Sequence, residues 1–121
     1  MYTLAIVAQQ TSEGILVAAL LGVATLGSGV LAILGQLGKL PRNGVFGLRT
    51  RKSMSSDAAW RSIHARFTPF AWLMFVIFAA TALIPLLMSP LAEAAPFIVI
   101  GLAIALVTLI GGSIWAHRRV N

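Results

Sequence analysis

The sequence predicts an all-α integral membrane protein with three transmembrane helices and an amphipathic helix in the loop between the first two. Hydrophobic residues make up 59% of the 121 residues and charged residues only 10%, whereas a soluble domain carries about 25% charged residues. Three long apolar segments contain no ionisable side chain, and the cationic residues are confined to two short parts of the chain. We therefore expect a single membrane domain, residues 1–121, surrounded by lipid.

Each apolar segment is long enough for a helix across the hydrocarbon core, which needs about 20 residues. The segments cover residues 14–37, 69–88 and 96–116. Thr68 and Pro69 form a typical pair of N-cap and first helical residue, which predicts that the second helix begins there. Pro96 is expected to begin the third helix in the same way.

Proline also indicates where the second helix ends. Ser89 and Pro90 predict a break between the second and third helices. Pro85 lies inside the second apolar segment, where it is expected to kink the helix or to shorten its regular part.

The cationic residues predict the orientation. Three helices place the first loop and the C-terminus on one side of the membrane, and Glu13 and Glu93 on the other. The positive-inside rule then places the N-terminus outside and the C-terminus in the cytoplasm. Seven of the nine cations lie in the first loop and two follow the third helix: Lys39, Arg42, Arg49, Arg51, Lys52, Arg61, Arg66, Arg118 and Arg119.

The first loop, residues 38–67, has signals of local structure. Asn43 and Gly44 predict a turn, and the apolar Val45 and Phe46 after it are suited to the headgroup boundary. Ser56 and the acidic residue after it are typical of a helix start. A helix face follows at spacing i, i+3, i+4 and i+7, suited to a membrane surface or to the inner ends of the spans. This face consists of Trp60, Ile63, His64 and Phe67.

Two further expectations concern pairing. A carboxylate and a guanidinium near a low-dielectric boundary form bidentate pairs, and we expect Asp57 to pair with Arg49. Small residues at helical spacing in the first span predict close helix packing, within the chain or with a second copy. They form two stripes: Ala24, Ser28 and Ala32, and Gly14, Ala18 and Gly22.

Several function classes are disfavoured. The chain has no Cys, which excludes a disulfide framework, a thiol nucleophile and Cys-ligated metal. The spans lack the ionisable residues that mark proton relays and ion paths. The loop has one acid and one His and no metal-ligand spacing, so we expect no enzyme activity, no metal and no cofactor. Nucleic acid is not expected as a partner, because the cations beside the spans have a sufficient role in topology.

The loop segment "NGVFGLRTRKSMSSDAAWRSIH" resembles the signature of the SdpI-like family of small bacterial multi-span membrane proteins. That signature has Asn, Gly-Ile-Arg-Thr after a short gap, Ser followed by an acid, and Trp with His four residues on; here Leu48 replaces Ile. The matching residues are Asn43, Gly47, Arg49, Thr50, Ser56, Asp57, Trp60 and His64. They are candidates for either a structural element or a site for a ligand or partner.

The resemblance implies a bacterial cytoplasmic membrane protein related to an immunity protein, which protects a producer cell from its own secreted killing peptide and signals by holding a repressor at the membrane. The first hypothesis is therefore immunity or resistance to a membrane-active peptide, with the loop serving structure or signalling. The alternative is an accessory subunit of a larger membrane complex. The candidate partners are anionic lipid headgroups, a toxin peptide, another membrane protein and a second copy of the chain.

Overall fold

The computed structural model describes residues 2–118 and 120. Helix α1 spans Tyr2–Leu37, α2 spans Asp57–Leu87 and α3 spans Leu91–His117, and a short 3₁₀ helix, Ser53–Ser55, lies in the loop before α2. Each long helix has the length and apolar composition needed to cross a membrane. The predicted all-α fold with three candidate spans is therefore confirmed.

Helix α1 begins at Tyr2 rather than at residue 14, where the first apolar segment starts. The hydroxyl groups in its polar first turns form hydrogen bonds within the helix. Thr11 Oγ1 donates to the Val7 carbonyl oxygen and Ser12 Oγ donates to the Gln9 carbonyl oxygen, both at 2.9 Å. Hydropathy marks the part of a helix that suits lipid, and it does not detect the polar turns that precede it. At about 1.5 Å per residue, the 36 residues of α1 exceed the roughly 30 Å hydrocarbon core.

The predicted start of the second helix at Thr68 and Pro69 is wrong, because the loop helix and the second span form one helix, α2. The N-cap is Ser56, whose Oγ accepts a hydrogen bond from the Ala59 N–H at 3.0 Å. Pro69 lies inside α2, where Thr68 Oγ1 donates to the His64 carbonyl oxygen at 3.1 Å. Membrane helices tolerate internal proline because nearby hydroxyl groups and neighbouring helices satisfy the freed backbone.

The predicted break after the second span is confirmed, since residues 88–90 separate α2 from α3. The predicted start of the third helix at Pro96 is wrong. Helix α3 begins at Leu91 with Pro90 as its N-cap residue, and Pro96 lies inside it. Proline suits the first helical turn, but Leu91 already takes that position after the break. Pro85 lies two residues before the end of α2.

Helix α2 is central, because α1 and α3 each pack along it and share few contacts with each other. The larger core cluster lies at the end of the molecule where the loop is, and all three helices and Val120 contribute to it. Its residues are Ala32, Ala59, Ile63, Phe67, Ala71, Met74, Ala116 and Val120. A smaller cluster at the other end consists of Leu21, Ala94 and Ile98. Small side chains in both clusters allow the helices to approach closely.

The small residues of α1 pack within the chain. Ser28 and Ala32, from the first predicted stripe, are buried. A Cβ atom at Gly14, from the second stripe, would lie 2.9 Å from the Pro85 carbonyl oxygen. Gly35 makes the same kind of contact at the loop end, where a Cβ atom would lie 2.9 Å from the His64 carbonyl oxygen. Of the two forms of close packing expected for α1, the packing within the chain is therefore observed.

We predict that Gly35→Ala destabilises the fold by about 1–3 kcal/mol, because the added methyl group meets the backbone of α2 and forces the helices apart. Gly22→Ala is the matched control: apart from the adjoining backbone of α1, no heavy atom of residues 2–118 and 120 lies within 4 Å of its added Cβ atom, and alanine favours the helix by about 1 kcal/mol. Denaturant unfolding of both variants in detergent micelles measures the difference. Equal stability of the two variants would contradict the close α1–α2 contact.

Candidate functional site

The motif residues lie in the loop between α1 and α2 and in the first turns of α2, and Asn43 shapes the beginning of this loop. Its Oδ1 atom accepts hydrogen bonds from the N–H groups of Val45 (2.9 Å) and Phe46 (2.6 Å). Its Nδ2 atom donates to the carbonyl oxygens of Pro41 and Phe46, both at 2.9 Å. One side chain thus satisfies four backbone groups, which a turn at a membrane boundary otherwise leaves to water.

The bend that Asn43 forms carries two apolar residues with different surroundings. Val45 is 91% exposed. Phe46 is half-buried beside α1, with its ring 3.9 Å from the position of a Cβ atom at Gly27, and it borders an apolar cavity with Val23 and Val30. These α1 residues belong to the first apolar segment, so the bend packs alongside the apolar part of α1 and not beyond its C-terminal end.

Gly47 packs directly on the aromatic pair of the motif. Its φ of +112° lies in a region that residues with a Cβ atom rarely adopt. A Cβ atom there would also lie 2.8 Å from His64 Nε2 and 3.0 Å from the Trp60 ring. Trp60 and His64 are 1% and 2% exposed, and their ring centroids are 4.1 Å apart. Glycine is therefore required at this position both by conformation and by space.

The hydrogen bonds of His64 define its tautomer. Its Nε2 atom accepts from the Leu48 N–H at 2.8 Å, and a backbone N–H only donates, so this nitrogen carries no proton. The proton of the neutral ring is then on Nδ1, which donates to the Trp60 carbonyl oxygen at 2.8 Å. The imidazole thereby connects the loop to α2.

The surroundings of His64 favour this neutral form. His64 precedes the uncharged segment of α2, residues 69–88, and lies among the turns that carry Arg61 and Arg66, at the polar end of the helix. Burial lowers the pKa of His64 below its ordinary value of 6.5, the hydrogen bond to the Trp60 carbonyl raises it, and the electrostatic interaction with His117 lowers it further. If Nε2 were protonated, its N–H would point at the Leu48 N–H. Two donors would then face each other, and the hydrogen bond between His64 and the loop would be lost.

Thr50 connects the loop to α3. Its backbone N–H donates to Ser53 Oγ (2.9 Å), and its Oγ1 atom accepts from the Ser53 N–H (3.1 Å). Thr50 Oγ1 also lies 2.7 Å from His117 Nε2. His117 Nδ1 lies 2.6 Å from the Ser113 carbonyl oxygen and donates to it, so the two ring nitrogens join the Thr50 hydroxyl to the last turns of α3. Ser53 is fully buried and also donates to the Leu48 carbonyl oxygen at 2.6 Å.

Two cations bind the carbonyl groups at the C-terminal end of α3, where the last four carbonyls of a helix lack intrahelical partners. Arg66 Nε donates to the Ala116 carbonyl oxygen at 3.1 Å, and its guanidinium lies 4.5 Å from the centroid of the Trp115 ring. Lys52 Nζ donates to the His117 carbonyl oxygen at 2.6 Å. The negative end of the helix dipole favours both contacts, so these cations help to hold α3 against α2 and the loop.

The expected pairing of Asp57 with Arg49 is wrong. Asp57 Oδ1 lies 3.3 Å from Arg42 Nε, and Arg42 Nη1 also donates to the Met54 carbonyl oxygen at 2.8 Å. Arg49 is exposed and makes no ion pair within the described residues. Arg42 is closer because the loop leaves α1 beside the first turn of α2, whereas Arg49 follows Gly47 towards α3.

The motif thus divides into three groups. Gly47, Trp60 and His64 are packed together, and the whole predicted face is buried, with Ile63 and Phe67 at most 1% exposed. The second group orders or caps the chain around this centre and consists of Asn43, Thr50 and Ser56. The two charged members, Arg49 and Asp57, remain exposed.

Sequence reasoning missed three residues that hold the loop in place. Ser53, Lys52 and Arg66 bind backbone carbonyl groups outside their own helical turns. A serine three residues after a threonine is only a weak signal for a turn in which each hydroxyl accepts a hydrogen bond from the backbone N–H of the other residue. The partners of the two cations depend on where α3 ends, which periodicity alone does not define.

Three helices with the length and apolar composition needed to cross a membrane, with an ordered polar loop between the first two, are typical of a small multi-span membrane protein. The SdpI/YfhL protein family matches residues 39–115, which is more than half of the chain, and the protein belongs to this family. The matched region begins where α1 has ended and contains every motif residue. Searches of curated proteins and of solved structures find no match.

We predict that acidification destabilises the protein through His64. The unfolded chain titrates this His near 6.5 and the folded chain at a lower pH, so the unfolded state binds more protons between the two values. The free energy of unfolding therefore falls as the pH decreases from about 6.5 towards the folded-state pKa. Thermal unfolding in detergent between about pH 7.5 and pH 5 measures this effect.

His64→Gln is expected to lower stability at neutral pH and to flatten this pH dependence. His117→Gln, at the one other His of the chain, is the matched control and is expected to retain it. An unchanged pH dependence in His64→Gln would show that another group is responsible.

Proposed function

We propose that this protein confers immunity or resistance to a membrane-active peptide in the bacterial cytoplasmic membrane. The observation that carries the proposal is membership of the SdpI/YfhL family across all the motif residues, together with the relation to an immunity protein that the family resemblance implies. The burial of Trp60 and His64 favours a structural role for the motif centre. The peptide would then meet another part of the protein.

The faces of the spans are the surface we propose for the peptide. Leu16, Leu20 and Val23 of α1 are each more than half exposed, as are Val99 and Val107 of α3. A peptide that inserts into the bilayer presents apolar side chains of its own, and helices in lipid associate through close packing. The motif loop contributes indirectly, because it holds the loop-side ends of the three helices together.

The alternative of an accessory subunit receives less support. One of its three grounds was the small-residue stripes of α1 as surfaces for a partner; the others are the lack of an internal polar site and the small soluble mass of the chain. Ser28 and Ala32 are buried within the chain, and Gly14 faces Pro85. These residues therefore have a sufficient explanation in the packing of α1 on α2. Co-purification of a stoichiometric partner in mild detergent, together with loss of that partner's activity on deletion, would instead favour the alternative.

We expect expression of the protein to raise the survival of sensitive cells exposed to at least one secreted killing peptide from a broad panel. Gly47→Ala is expected to abolish protection, because its Cβ atom meets His64 and Trp60. Gly44→Ala is the matched control in the same bend, since its Cβ atom meets no heavy atom within 4 Å in the part of the chain that the structure describes, its two neighbours in sequence aside. Immunoblotting of membranes measures the abundance of each form. Unchanged survival across the panel, with the protein present in the membrane, would contradict the proposal.

We also propose that the loop lies in the cytoplasm, because cations favour that side of a bacterial membrane. The chain has no Cys, so single cysteines report position without background. Ser89→Cys, between α2 and α3, is expected to react with a membrane-impermeant maleimide in intact cells. Arg51→Cys, in the exposed part of the loop, is expected to react only after permeabilisation. The reverse labelling pattern would contradict this orientation.

A further inference from the structure

A cavity of about 470 Å³ lies between the chain that leaves α1 and the first turns of α2. Three cationic residues line it, Lys39, Arg42 and Arg61, together with one carboxylate, Asp57. Its volume is in the lower part of the range for small-molecule sites, about 300–1,000 Å³. The cavity shares Trp60 with the packed centre of the motif, but neither Gly47 nor His64 lines it. We propose that it binds the phosphate group of an anionic phospholipid headgroup.

The cavity is built so that one cation is held in place and two remain available. Arg42 is fixed by its contacts with Asp57 and the Met54 carbonyl. Lys39 and Arg61 are exposed, and the side chain of neither has a hydrogen-bond or ion-pair partner within residues 2–118 and 120. Cations with hydrogen-bond donors and no protein acceptor are suited to phosphate oxygens, because charge-assisted hydrogen bonds are among the strongest in proteins.

The wall of the cavity is rigid where the ligand would lie. Trp60 lines it, and the indole Nε1 atom donates to the carbonyl oxygen of Leu40 at 2.8 Å. This bond joins the two sides of the cavity, the chain after α1 and helix α2. The cations are therefore carried by backbone segments that are already fixed relative to each other, which lowers the entropic cost of binding.

A lipid fits this position better than a free phosphate compound. The cavity begins at Gly38, directly after the end of α1, where an apolar helix gives way to the charged loop. The last turns of α1 expose Ile33 and Leu37, at 47% and 58%. A phospholipid offers both features in one molecule, with a phosphate for the cations and an acyl chain for the adjoining apolar side chains. General attraction of basic residues to a membrane surface requires no such cavity.

The test titrates the purified full chain in mixed micelles with phosphatidylglycerol or phosphatidylcholine and counts bound lipid by native mass spectrometry. We expect the anionic lipid to bind more tightly to the native protein. The double variant K39Q/R61Q is expected to weaken this binding on the order of tenfold, as the loss of two charge-assisted contacts implies. The matched control R51Q/R118Q removes the same charge from exposed positions outside the cavity and is expected to change it by less than about threefold.

A third variant tests the opposite direction. D57N removes the negative charge from the cavity and keeps the size of the side chain, so we expect tighter binding of phosphatidylglycerol. A variant that merely unfolded would not bind more tightly, which separates a loss of the site from a loss of the fold.

Three results would overturn the proposal. Equal weakening in the two double variants would show diffuse attraction to charge. No preference for phosphatidylglycerol by the native protein would show that the cavity does not select anionic lipid. Displacement of the lipid by glycerol 1-phosphate at equal concentration would assign the cavity to a free phosphate compound. None of these results depends on immunity to a peptide.

Discussion

The hydrogen bonds of the His64 imidazole connect the loop to the helices, and the rest of the motif is arranged around them. The ring accepts from the Leu48 amide and donates to the Trp60 carbonyl, which requires one protonation state and one tautomer. Gly47 allows the loop to pass close enough for the first bond. Because the ring is buried, loss of either bond leaves a polar group without water or protein, at a cost of about 1–3 kcal/mol.

This connection has consequences at the ends of all three helices. The loop that it holds carries Lys52 and Thr50 to the C-terminal end of α3. Arg66 reaches the same end from α2, and Trp60 binds the chain just after α1 through the Leu40 carbonyl. Helix ends near a bilayer have unpaired backbone groups in a region of falling polarity. The motif region satisfies several of them with side chains, and in doing so it fixes how the helices meet.

The predictable parts of the structure are those decided by local pattern. Apolar runs indicated the three candidate spans, and the spacing of Trp60, Ile63, His64 and Phe67 indicated one face, which is buried. Two of the errors, the start of α2 and the partner of Asp57, concern features that depend on contacts between distant parts of the chain. Pro69 is a typical helix start when considered alone, yet packing on both sides of α2 carries the helix through it.

The ion pair between Arg42 and Asp57 shows the same limit of sequence-based prediction. Arg49 and Arg42 are both plausible partners for Asp57 in sequence, and the path of the loop decides between them. That path depends on the bend at Asn43 and on the contact of Gly47 with His64. The sequence identifies these residues as a group through the family signature, but it does not show that some of them are packed centrally while others stay exposed.

The most direct test of this account is nuclear magnetic resonance of the ¹⁵N-labelled protein in micelles at neutral pH. The account predicts an unprotonated Nε2 and a protonated Nδ1 in His64, with a scalar coupling across the hydrogen bond between the Leu48 amide nitrogen and His64 Nε2. It also predicts slow exchange of the Leu48 amide proton with solvent. A protonated Nε2, or a Leu48 amide that exchanges as fast as that of the exposed Gly44, whose N–H makes no hydrogen bond within the described residues, would contradict the central role of this contact.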